Sequence, residues 1–238
     1  MFCKTMVRGL MAVALAATML GGSVLAVPPD DVVLPTGLAP GSQYQILFVT
    51  SGGTVATSSN IGDYDNFVTT QANQDPTLAG LDATWTAVAS TAGSAANQAS
   101  NTTNIPIYDT RGDLLSPDFP SLFTGSSGPS YDQFGGQQGG PPSYNVYAWT
   151  GSAPDGTGDS LFPLGSTYYI PGFSMEGRVG TGDWLEYGLA SQSQDNVFHT
   201  ISSPITVASV PEPTSLALLC SALLGLGVVY LRRRRVMA

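Results

Sequence analysis

The chain has 238 residues, with 8 basic and 17 acidic side chains, one His and two Cys, and a formal net charge of −9 at pH 7. Six of the basic residues sit in the two ends; over residues 27–210 only Arg111 and Arg178 remain against sixteen acids, a formal charge of −14. So acidic a span excludes nucleic acid, whose phosphates need clustered Lys and Arg, and it favours solubility and divalent cations.

Lys4 and Arg8 form a positive n-region, residues 9–20 an apolar h-region, and Val24-Leu25-Ala26 a small-residue cleavage site. This is the pattern of a secretory signal peptide over 1–26, cut by signal peptidase between Ala26 and Val27. Residues 27–43 are Pro-rich and read as an extended leader. Residues 44–208 are long enough for one domain with its own core. Cys3 and Cys220 lie in the two ends, so this exported domain has no cysteine and must stand without a disulfide.

Within the domain, residues 44–50 (YQILFVT) are the best strand candidate, ended by Ser51-Gly52-Gly53. Ile61, Tyr64, Phe67, Val68 and Ala72 recur at helical spacing after Ser59 or Asn60 as N-cap, and Asp75-Pro76 stops that helix. Residues 84–89 read as a short strand around Trp85, 93–104 as a loop, and 105–108 as a strand whose Pro106 argues for a sheet edge. Residues 109–113 read as a turn, and 117–123 as one helical turn. The Gly/Gln/Pro-rich stretch 125–143 buries too little apolar area to offset its ordering entropy and is expected as a mobile loop. Strands are expected again at 144–150, 168–170, 183–185 and 205–207. The fold class expected is α+β: a single domain of short strands with one or two helices and long loops.

Few residues offer chemistry. His199 is the only histidine and reads as a polar loop residue. A Ser-His-Asp set would depend wholly on it, a zinc site would lack ligands, and no phosphate loop has its Lys. Asp183 and Glu186 could pair as glycosidase carboxylates, but among sixteen acids some such pair always arises. No catalytic residue is therefore expected. Calcium is the better candidate ligand. Asp155 and Asp159, and Asp63 and Asp65, place hard carboxylate oxygens on short segments, although neither matches the EF-hand loop. Arg111-Gly112-Asp113 spells an integrin tripeptide but reads as an ordinary turn. Trp85, Trp149 and Trp184, each in or beside a strand candidate, read as core, with stacking on sugar rings as the alternative.

The C-terminus is the most informative segment. Val210, Pro211, Glu212 and Pro213 precede an apolar run over 215–231, and Arg232, Arg233, Arg234 and Arg235 follow it at once. As a helix the run spans roughly 25 Å, the lower limit for crossing a bilayer. The arginines would stay on the cytoplasmic side, leaving the domain outside. Signal, helix and basic cluster over 209–238 resemble the sorting tail of PEP-CTERM proteins. The resemblance implies an exosortase as partner and membrane tethering during sorting. It further implies release to the cell surface or extracellular matrix, with matrix polysaccharide as a further partner.

The exported part resembles bacterial surface domains of C-type-lectin-like, endostatin-related fold. The residues that carry this are 46–51, the helix after Asn60, 84–87, 105–108 with Gly112, and 148–151 with Asp155-Gly156. The cysteines common in that group are absent here. The function expected is a structural or adhesive surface component. The alternatives are a glycan- or ligand-binding module, calcium-assisted or not, and, more remotely, a hydrolase using Asp183 or Glu186.

Overall fold

The computed structural model describes residues 31–100, 102–124, 127–139 and 145–208. The signal peptide with Ala26 and Val27, and the tail with its Pro-Glu-Pro signal, apolar run and four arginines, lie outside the described residues. Among the described residues no helix is long and apolar enough to cross a membrane.

The elements in chain order are β1 (Gln43–Val49), α1 (Ile61–Ala72), α2 (Pro76–Ala79), β2 (Trp85–Ala87), β3 (Ile107–Tyr108) and β4 (Leu114–Ser116). Then follow α3 (Phe119–Leu122), β5 (Tyr147–Trp149), β6 (Phe173–Arg178), β7 (Gly188–Ser191), β8 (Val197–Ser202) and β9 (Ile205–Thr206). The strands form one mixed sheet in the order β4-β3-β1-β8-β5-β6-β7, with β2 also paired to β8 and β9 to β1. A single sheet-rich domain with few helices results.

β1 and β8 are the axis of this sheet, and both are buried on two faces. They run antiparallel, with Leu47 opposite Ile201 and Val49 opposite His199. Alternation along each strand sends successive side chains to opposite faces. Tyr44, Ile46, Phe48, Phe198 and Trp149 enter a core covered by α1, where Tyr64 stacks on Phe198 at 5.0 Å and Phe48 meets Trp85 edge-on at 5.4 Å. Leu47 and Ile201 enter a second core on the other face with Ile107, Phe119, Leu122 and Trp184.

α1 starts where the sequence places it. Asn60 is its N-cap, and the Asn60 side chain accepts from the Gly62 N–H at 3.2 Å. Asp75 does more than end the preceding segment. Its Oδ1 accepts from the N–H groups of Thr77 and Leu78, opening α2 with Pro76 in the first turn.

Several expectations are corrected. The segment 105–108 is not an edge, because β3 lies between β1 and β4. Pro106 precedes the strand and contributes only its carbonyl, which accepts from the Gln45 N–H at 2.9 Å. Neither 168–170 nor 183–185 is a strand. Trp184 and Leu185 are buried because their loop crosses the second face of the sheet, and Gly177 of β6 admits the Trp184 carbonyl; a Cβ at Gly177 would lie 1.7 Å from that oxygen. Strands β6, β7 and β8 have no counterpart in the sequence-based reading, and His199 is no loop residue: it sits fully buried in β8.

The described part of the Gly/Gln/Pro stretch, 127–139, is tied into the fold. Asp132 is its centre. One carboxylate oxygen accepts from the Phe134 and Gly136 N–H groups at 2.9 Å each, and the other from the Gln138 amide at 2.6 Å. Its carbonyl accepts from buried Thr110 Oγ1 at 2.7 Å, and Val49 N–H donates to the Tyr131 carbonyl at 3.0 Å. Polar bonding supplies the cohesion that the stretch lacks in apolar area. The leader joins in as well. Val33 N–H donates to the Thr110 carbonyl, and Leu34 and Leu38 pack on the α1-side core.

Candidate functional site

The acidic candidates are each engaged in hydrogen bonds of the fold. Asp63 and Asp65 are two positions apart on α1 and so point to different sides of the helix. Asp63 accepts from Ser58 Oγ at 2.6 Å, whereas Asp65 turns inward and accepts from the Ala87 N–H at 2.8 Å. Burial pushes the Asp65 carboxyl up, against that hydrogen bond. Asp155 accepts from both the hydroxyl and the N–H of Thr157, which hold its carboxyl below the usual range. Asp159 accepts from the N–H groups of Leu161 and Phe162 at 2.8 and 2.7 Å. These are turn-stabilising bonds of the Asx type. Among the described residues, no group of three or more His, Cys, Asp or Glu side chains comes together.

Asp183 and Glu186 flank buried Trp184 and Leu185 on the crossing loop, and both are exposed. Arg111 is committed to its turn: its N–H and that of Asp113 donate to Asp109 Oδ1 at 2.8 and 2.9 Å. Trp85, Trp149 and Trp184 are all core residues, with Trp149 Nε1 donating to the Thr54 carbonyl at 2.9 Å. His199 lies edge-on to Trp184 at 5.1 Å, its Nε2 3.2 Å from the Trp184 carbonyl. Its Nδ1 has no hydrogen-bond partner among the described residues, and burial pulls its pKa down to about 4. The imidazole is therefore neutral at ordinary pH and lines none of the three described clefts.

The segment 159–173 builds a cleft that the sequence reading did not find. Of three described clefts it is the largest, about 670 Å³, against about 240 and 270 Å³. Ser59 and Ala92 form one side, and residues of 160–168 the other. Backbone bonds fix the second wall: Leu164 N–H donates to the Ser90 carbonyl, Gly165 N–H to Ala56, and Met175 N–H to Phe162. Gly165 makes the close approach possible. Its φ is +68°, and a Cβ there would lie 2.3 Å from Ser58 backbone atoms. Gln192 reaches in from behind, its amide donating to the Ser166 carbonyl at 2.9 Å and to Ser174 Oγ at 2.9 Å.

Tyr168, one of the three residues expected as a strand, lines this cleft, and Tyr169 and Ile170 follow it in the chain. Tyr168 is 82% exposed and Tyr169 64%, with Tyr169 braced edge-on against Phe162 at 5.8 Å. The signal that could have found them is the pair of turn residues around them, Gly165 and Pro171, which argue against a strand and for a displayed loop.

Outside this domain a family model matches residues 209–235 as a PEP-CTERM protein-sorting motif. The chain carries a PEP-CTERM sorting signal. The match covers Val210, Pro211, Glu212 and Pro213, the apolar run and the four arginines, and it stops short of the folded domain. A PEP-CTERM motif marks a protein that is exported, anchored in the membrane during sorting, and processed by an exosortase. No curated protein matches the chain.

Proposed function

We propose that this PEP-CTERM protein is a structural or adhesive component of the bacterial cell surface or extracellular matrix. Signal peptidase removes the N-terminal segment, the tail holds the chain in the inner membrane, and exosortase action near Pro211-Glu212-Pro213 releases the acidic domain. The observation that carries the reading is the motif at 209–235. The sheet-rich domain supports it as a compact, cysteine-free unit with a strongly acidic composition, soluble once detached.

The test is a triple substitution, Pro211→Ala with Glu212→Ala and Pro213→Ala, expressed in an exosortase-bearing host. The substituted chain is expected to stay in the membrane fraction at its unprocessed C-terminal mass, while the natural chain reaches the surface fraction shortened. Surface delivery of the substituted chain at the same mature mass would overturn the sorting reading.

A further inference from the structure

We infer that the cleft between Ser59 and Tyr168 is a binding site for a neutral polysaccharide, gripped without a metal ion. This gives the adhesive part of the proposed function a ligand, and rests on that reading only for where the protein meets it.

Three observations converge on this ligand class. The first is size. At about 670 Å³ the cleft lies within the range of roughly 300–1,000 Å³ typical of small-molecule sites, enough for a short stretch of sugar rings. The second is chemistry. None of the lining residues is Asp, Glu, Lys, Arg or His; the polar side chains are Ser59, Ser160, Thr167 and Tyr168, with buried Ser166, whose hydroxyl is taken up by the Leu161 carbonyl and the Tyr168 N–H. Hydroxyls both donate and accept, as sugar hydroxyls do, whereas a charged ligand would enter with no counter-charge from the lining. The formal charge of −14 over residues 27–210 repels acidic polymers as well.

The third observation is the aromatic rim. Tyr168, which lines the cleft, is left 82% exposed, and its chain neighbours Tyr169 and Ile170 are exposed as well. A soluble domain that displays such a group on a braced loop presents a contact surface. A tyrosine ring offers an apolar face to the C–H face of a pyranose and a hydroxyl at its edge. The loop backbone is held by the Gln192 amide on the Ser166 carbonyl and by the close approach of Gly165 to Ser58, so the segment that carries Tyr168 is fixed before any ligand arrives.

The site is tested by titrating the full-length chain, purified in a sugar-free detergent, with cellohexaose, maltohexaose and xylohexaose, and with oligogalacturonate as the charged counterpart. Calorimetry reads the affinity with and without EDTA. Binding of at least one neutral hexamer is expected, unchanged by EDTA and stronger than that of oligogalacturonate. Tyr168→Ala is expected to weaken it roughly tenfold, and Tyr168→Phe to retain most of it. The ring is exposed, so neither variant should alter the fold, and a circular-dichroism melt checks this. No binding by any neutral hexamer at millimolar concentration overturns the assignment. So does binding lost with EDTA, matched by oligogalacturonate, or indifferent to Tyr168→Ala. These readings use purified chain, so a failure here is separate from a failure of sorting, which is read in cells.

Discussion

On one face of the central sheet α1 lays Tyr64 and Phe67 over Phe198; on the other, a crossing loop lays Trp184 and Leu185 near Leu47 and Ile201. The helix brings its own backbone hydrogen bonds and needs only an apolar stripe and a cap. The loop has no such internal ladder. Its backbone is satisfied piece by piece: the Arg178 N–H donates to the Asp183 carbonyl, the Gly128 N–H to Thr181, and the Trp184 carbonyl faces His199. It also has to come closer than a helix, and glycines permit that. A helical cover therefore tolerates local change, and a loop cover depends on a few positions without slack.

The largest effect should come from crowding one of those positions. Gly177→Val places a side chain where 1.7 Å separates an ideal Cβ from the Trp184 carbonyl oxygen. The crossing loop must lift, exposing Trp184 and Leu185, each worth about 1.5–3 kcal/mol when buried. A loss above about 4 kcal/mol is expected, read as collapse of the cooperative urea transition. Gly188 is the control on the neighbouring strand. Nothing lies within 4 Å of its Cβ position, so Gly188→Ala should cost less than about 1 kcal/mol. Equal behaviour of the two variants would show that the loop cover is as tolerant as the helix.

The faces differ in titration as well. Only the loop-covered face holds a histidine, with its pKa drawn down to about 4 from 6.5 by burial. The unfolded chain thus takes up a proton near pH 6.5 while the folded one does not. Stability is full above that pH and falls as pH drops towards 4, by roughly 3 kcal/mol over the whole interval. Asp65, Asp109 and Glu176 act in the opposite sense. Burial raises each, so the folded chain binds their protons first and regains some stability as pH falls through those raised values. Replacing His199 leaves their opposite contribution in place, so the part of the pH dependence lost in a His199 variant belongs to the imidazole. Urea midpoints across that interval should slope down in the natural chain and flatten in His199→Gln. An unchanged slope in the variant would remove His199 as the source.

The same contrast governs what the sequence discloses. α1 is legible because its cover is periodic: Tyr64, Val68 and Ala72 recur at helical spacing behind a recognisable Asn60. β1 is legible as a continuous apolar run. β8 is not, although it is equally buried, because His199, Thr200 and Ser202 interrupt its apolar pattern and only its neighbours on both sides explain their burial. The stretch 127–139 misleads by composition, since Asp132 binds it through polar groups that carry no hydropathy signal. The cleft is hidden for a related reason: Ser59 and Tyr168 meet only after Gly165 has packed on Ser58. The sorting tail needs no fold to be recognised, so its residues alone were enough to place it.

The smallest expected effect lies at the helical cover. Asn60→Ala removes the acceptor of the Gly62 N–H and leaves one donor of the first turn to water. N-cap losses of this kind cost about 1 kcal/mol, and Asp63 in the first turn still favours the helix N-terminus. The urea midpoint should shift modestly while the transition keeps its slope, because Tyr64 and Val68 continue to pack on the sheet. Asn60→Ser, which restores a side-chain acceptor, should recover most of the loss. A loss as deep as that of Gly177→Val would mean that α1 is nucleated by its cap rather than by its apolar stripe. The two covers would then depend alike on single positions, and the contrast between helix and loop would fail.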